Sequence, residues 1–162
     1  MEPEDMESQL VILLQVGLAA VLGGIIGAER EYGGKAAGLR THMIVCAASA
    51  LLLGLGRLIA LSCASNAVDP SRVIQAVVTG ISFLGAGTII FHKREGSVEG
   101  LTTAASILLV AAVGMAVAID AYFLAVGVTV CALIVLSGMG GLEKWLRARR
   151  KGKTDASQEN DY

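Results

Sequence analysis

Apolar residues in this chain fall into long uninterrupted runs, with little of the alternation expected of strands. Residues 10–28, 73–91, 101–119 and 123–142 contain no charged side chain. An α-helix rises about 1.5 Å per residue, so about 20 apolar residues cross a hydrocarbon core of about 30 Å. Residues 43–61 form a weaker run, interrupted by Arg57 near its far end. A terminal arginine reaches the interface along its own stem, so this run is kept as a span. The pattern predicts an all-α membrane protein with five transmembrane helices, and it places the membrane domain at residues 10–142.

Composition agrees, with 54% hydrophobic residues and 17% charged ones, against about 25% charged in soluble domains. The positions of the charges say more than their sum. Eleven of the 13 Lys and Arg residues fall in the segments after the first and third spans and in the tail. Only Arg57 and Arg72 lie on the other side, with the acidic residues 1–9 and Asp120. Cytoplasmic loops carry the basic excess, so the amino terminus is expected outside and the carboxyl terminus in the cytoplasm. The first run lacks the basic flank of a secretory signal and is expected to remain as an anchor. Residues 143–162 read as a basic juxtamembrane segment, suited to anionic lipid, followed by a polar disordered tail. No nucleic-acid partner is expected. Cys46, Cys63 and Cys131 form no CxxC pair, which argues against a disulfide framework or a zinc site.

Two segments resemble each other at an offset of 62 residues: Gly38-Leu39-Arg40-Thr41 opens the second span and Gly100-Leu101-Thr102-Thr103 the fourth, with Gly23 and Gly85 upstream at the same offset. Each unit is a span, a charged cytoplasmic loop, G-L-x-T, then a returning span. A parallel duplication of a two-helix hairpin accounts for this, and chance likeness among small apolar residues is the alternative. Either way, two helix amino termini meet the cytoplasmic face, where free N–H groups favour acceptors.

Candidate chemistry gathers on that face. Glu29 and Glu31 follow the first span, where carboxylates oppose the helix dipole. Arg30, Arg40 or a cation would compensate. Magnesium takes oxygen ligands, often one or two carboxylates with retained waters. Glu29 and Glu31 are therefore candidate metal ligands, with Glu95 or Glu99 as partners, and an ion pair with Arg40 or solvated loop charge is the favoured alternative. Thr41, Ser97 and Thr102 read as helix caps. Gln75, Thr79 and Ser82 form a polar stripe on the third span, expected to hydrogen-bond between helices, with Gln15 as a partner, rather than to line a path. Gly23 and Gly27 permit close helix approach, and Asp69-Pro70 reads as a cap with proline in the first turn. His42 and His92 lack a metal-binding partner, no nucleophile–base set appears, and no enzyme or cofactor is expected.

Five motifs occur in order: Gly27-Ala28-Glu29-Arg30-Glu31, Ala37-Gly38-Leu39-Arg40-Thr41-His42, Asp69-Pro70-Ser71-Arg72-Val73, Gly80 to Ile89, and Gly100-Leu101-Thr102-Thr103-Ala104-Ala105-Ser106. Over residues 10–142 the chain resembles the MgtC/SapB membrane protein family. The resemblance implies a multi-pass protein of the bacterial inner membrane, linked to growth at low magnesium and to virulence through survival inside macrophages. It implies action on another membrane protein such as the ATP synthase. A magnesium or other cation transporter or channel is one alternative, and a homo-oligomeric scaffold another. The candidate face comprises Glu29, Arg30, Glu31, Arg40, Thr41, His42, Thr102 and Thr103. Many members continue into a cytoplasmic ACT-like domain, so this shorter chain reads as SapB-like. Ile107-Leu108-Leu109 stands where the family often has tryptophan.

Overall fold

The computed structural model describes residues 3–62, 69–92 and 97–138. Lys93, Arg94, Glu95, Cys63 and the basic tail lie outside them. Five helices follow one another: α1 (Pro3–Tyr32), α2 (Leu39–Ser62), α3 (Pro70–Gly87), α4 (Leu101–Ala118) and α5 (Tyr122–Gly138). Three segments are long and apolar enough to cross a membrane: Met6–Tyr32, Leu39–Ala60 and Leu101–Ala118; α5 is a shorter apolar helix. The remaining helix, α3, carries Arg72, Gln75, Thr79 and Ser82.

Helix ends have identifiable causes. At the end of α1, Gly34 adopts φ 63°. Its N–H bonds to the Glu31 carbonyl and that of Lys35 to the Arg30 carbonyl, each at 3.0 Å, the paired bonds of a Schellman terminus. Helix α3 starts as the sequence suggests: Asp69 accepts from the Ser71 N–H at 2.9 Å, and Pro70 follows. It also ends earlier than the apolar run 73–91 implied. The Thr88 hydroxyl turns back to the Gly85 carbonyl at 2.7 Å, and the chain leaves the helix. Two strands then pair antiparallel, β1 (Ile90–His92) with β2 (Ser97–Glu99), with Ile90 opposite Glu99. This small hairpin lies in the segment read as a charged cytoplasmic loop, and Ser97 lies in a strand rather than at a helix cap. β-branched residues in Ile89-Ile90 and Val98 suit a strand once the helix has ended.

Gly100 then opens α4 at φ 90°. Its Cα lies so near the Thr88 carbonyl that any side chain would collide. Asp120 ends α4 at φ 61°, with N–H bonds from Asp120 to Val117 and from Ala121 to Ala116.

The core is assembled where backbones come close. Gly23 of α1 sits against the His42 carbonyl and Cys46 Cβ, each 2.6 Å from where its own Cβ would stand, and Gly27 against Leu39 Cα at 2.8 Å. Gly114 of α4 faces the Cys46 carbonyl of α2 with no room for a methyl group. Around these contacts Ile26, Cys46, Ile107, Val110, Val113 and Val117 are fully buried. Leu13, Leu14, Phe123 and Ile134 point outward, an apolar exterior matched to lipid. The 62-residue offset reappears in the packing: Gly23 touches His42, and Gly85 touches Ala104, equivalent pairs in the α1–α2 and α3–α4 hairpins.

Candidate functional site

The buried polar groups gather where the end of α1 meets the starts of α2 and α4. Arg30 occupies the last turn of α1 and is only 3% exposed. Its Nη2 donates to Thr103 Oγ1 at 3.1 Å. A cation at a helix carboxyl terminus is favoured by the α1 dipole, whereas its contact with the first turn of α4 is not. The side chain thus joins two helix ends of opposite sign.

His42 lies one turn into α2 and is fully buried. Its Nδ1 is 2.9 Å from the Gly38 carbonyl and its Nε2 is 3.0 Å from Ser106 Oγ. A carbonyl only accepts, so Nδ1 carries a proton. In the neutral ring Nε2 then accepts from the Ser106 hydroxyl. That hydroxyl has a single proton, which is shared between Nε2 and the Thr103 carbonyl at 2.8 Å. The network therefore runs from Arg30 through Thr103 and Ser106 to His42 and Gly38, tying α1, α4 and α2 together.

Glu31 resolves the dipole conflict differently from the expected Arg40 pairing. Its Oε2 accepts the Leu39 N–H at 2.8 Å, so the carboxylate of one helix end caps the positive start of the next. Glu29 leaves Oε2 buried without a partner among the described residues, as Arg30 leaves Nε. Among the described residues, no group of three His, Cys, Asp or Glu side chains stands ready to hold a metal. Arg40 and Thr102 face outward, and Thr41 is half-buried.

Among the described residues, the polar stripe of α3 makes no interhelical hydrogen bond. Gln75, Thr79 and Ser82 are exposed, and the two hydroxyls bond back to Gln75 and Val78 carbonyls of their own helix. Gln15, expected as their partner, is buried elsewhere: its Nε2 donates to Asp120 Oδ1 at 2.8 Å. Asp120 Oδ2 accepts from Arg57 at 3.1 Å, and Tyr122 donates to Oδ1 at 2.7 Å. Arg57 therefore pairs with a carboxylate rather than only reaching toward the interface. This latch joins α1, α2 and the α4–α5 turn at the opposite end from Arg30. The Tyr122 hydroxyl, then Arg57, hold the Asp120 carboxyl below its usual range. A lowered folded value means that the latch is at full strength above the unfolded value, about pH 4, and is lost as pH falls through the folded one. Thermal unfolding of the detergent-solubilised protein should therefore show an Asp120-dependent loss only below about pH 4. Asp120→Asn should lower the midpoint at neutral pH and remove that acid limb; an unchanged acid limb would exclude the latch as its source.

The sequence alone does not point to the roles of Ser106, the Gly38 carbonyl, Gly114 or the partners of Asp120. Ser106 carried a weak signal, since it lies three residues after Thr103 on one helix face.

The MgtC family profile matches residues 16–145. The putative magnesium transporter YhiD of Escherichia coli is 42% identical over 127 residues, which is 76% of this chain and 58% of that protein. Protein SrpB of Synechococcus elongatus is 37% identical, covering 80% of this chain and 76% of its own length. Protein MgtC of Brucella abortus is 41% identical over 97 residues, covering 60% and 38%. The chain spans about 60% of the length of the first of these relatives. No solved structure matches significantly. The matched region contains the Arg30–His42 network, and the chain belongs to the MgtC family.

Proposed function

We propose that this magnesium-related membrane protein is a non-enzymatic modulator in the bacterial inner membrane. It supports growth at low magnesium, and survival in macrophages where its host is a pathogen, by acting on a partner membrane protein such as the ATP synthase. Its amino terminus faces outward, so the Arg30–His42 end lies at the cytoplasmic surface, in keeping with the basic excess there. One observation carries the reading. His42, Thr103 and Ser106 are buried and spend their hydrogen bonds inside the bundle, and Arg30 gives one to Thr103. A polar side chain lining a conduction route needs bonds free for the ion. The exposed stripe Gln75, Thr79 and Ser82 is left to contact a partner, or a second copy, within the bilayer.

Purified protein in sealed liposomes should give no selective magnesium flux above empty vesicles across a cation panel, while expression in a deletion strain restores growth at low magnesium. Robust selective flux would refute the modulator reading. The second reading, a magnesium transporter, is favoured by the unpartnered Glu29 Oε2 and by the name of the Escherichia coli relative. It requires uptake that Glu29→Gln with Glu31→Gln abolishes.

A further inference from the structure

The end of the molecule opposite Arg30 carries a second polar constellation that the proposed function does not use. A cavity of about 230 Å³ opens between the start of α1 and the end of α2, lined among others by Glu7, Ser8, Val11, Ile12, Gln15 and Arg57. The two helices run in opposite directions, so their charged residues reach the same membrane surface. Glu7 stands one residue inside the apolar segment that begins at Met6, and Arg57 three residues before the end of the segment that closes at Ala60. Both therefore lie at headgroup depth, where charged side chains are tolerated.

Their signs are opposite, yet they do not pair with each other. The ion pair formed by Arg57 is with Asp120, through Nη1, and Arg57 stays 58% exposed. A guanidinium has five N–H donors, so this contact leaves donors for a second anion. Val11 and Gln15 continue into a second groove of about 270 Å³ that runs over Leu14, Leu18 and Tyr122. The surface thus presents a cationic and an anionic group across one cavity, with an apolar channel leading away along α1.

We propose that this groove binds a zwitterionic phospholipid of the phosphoethanolamine type, its phosphate on Arg57, its ammonium on Glu7 and an acyl chain over Leu14 and Leu18. Arginine is suited to phosphate through paired donors. A primary ammonium donates to the Glu7 carboxylate, which a choline headgroup cannot do. A purely anionic headgroup meets Glu7 as a like charge, which disfavours it. The channel supplies the apolar area that a free phosphoethanolamine would not use.

The test is lipid retention by the whole protein. After equilibration with vesicles of equimolar phosphatidylethanolamine, phosphatidylglycerol and phosphatidylcholine, the retained lipid is read by native mass spectrometry. Phosphatidylethanolamine should be enriched about fivefold, the size expected of one charge-assisted hydrogen bond at an exposed site. Glu7→Gln, at an exposed position, should reduce that preference to near unity. Val11→Trp should release all three lipids by filling the cavity. Equal retention of the three lipids, or an unchanged preference in Glu7→Gln, overturns the proposal. Displacement of bound lipid by millimolar free phosphoethanolamine overturns the assignment to a lipid.

Discussion

Replacing Gly114 by alanine should cost the bundle about 3 kcal/mol or more, at the upper end of what overpacking does. The added methyl group would meet the Cys46 carbonyl oxygen of α2 at less than contact distance. Most overpacked sites relax because a flexible side chain gives way. Here the obstacle is backbone, and Cys46 itself is fully buried between α1 and α4. Relief therefore requires α2 and α4 to separate along their length, which also loosens Val110, Val113 and Val117. Gly127→Ala is the matched control, because nothing lies within 4 Å of its missing Cβ. There the change should be neutral or slightly stabilising, since alanine is favoured over glycine in a helix by up to about 1 kcal/mol. Thermal midpoints and the monodisperse fraction in detergent separate the two. Equal behaviour of both variants would mean that the α2–α4 contact is not made as described.

That contrast shows what the sequence could reveal. Helices were legible because a bilayer sets one simple rule, an uncharged run of sufficient length. Four runs without charge became four helices, and Arg57 weakened the fifth run without ending it. The boundary error at α3 has a physical origin. Hydropathy does not distinguish a helical Ile89-Ile90-Phe91 from a strand, and Gly85 and Gly87 with Thr88 supply the stop that hydropathy ignores. The close-approach role of Gly23 and Gly27 was readable from their four-residue spacing. Gly114 has only Ala118 at that spacing, a weaker signal, so the crossing of α2 and α4 is what identifies it.

The candidate face was partly legible for a different reason. Charges placed against a helix dipole signal that something compensates, and this singled out Glu29 and Glu31. The compensating group for Glu31 turned out to be the Leu39 backbone N–H, which no side-chain inventory contains. The His42 environment was likewise hidden, because its partners are a carbonyl in the preceding turn and a serine 64 positions away.

His42→Ala should therefore destabilise the protein by about 3 kcal/mol, combining a cavity with two lost hydrogen bonds. The ring is fully buried, so its removal leaves the partner groups unpaired inside the protein. The geometry also orders the substitutions. Asparagine places its amide nitrogen near the site of Nδ1 and so keeps the bond to the Gly38 carbonyl. Glutamine can place its amide oxygen near the site of Nε2 and so keeps the bond from Ser106 instead. Each should recover part of the loss, with neither reaching wild type. Contact between His42 and Ser106 further requires that their effects not add. The double variant with Ser106→Ala should be less damaged than the sum of its parts by about 1 kcal/mol, the usual size for directly bonded pairs. Additive losses would show that the 3.0 Å contact carries no energy. Arg30 obeys a different rule, because a buried cation with an unpartnered Nε bears a desolvation cost that its bond to Thr103 does not cancel. Arg30→Met should hold the thermal midpoint or raise it while support of growth at low magnesium falls. The expected contrast is that His42 holds the helices together while Arg30 adds no net stability.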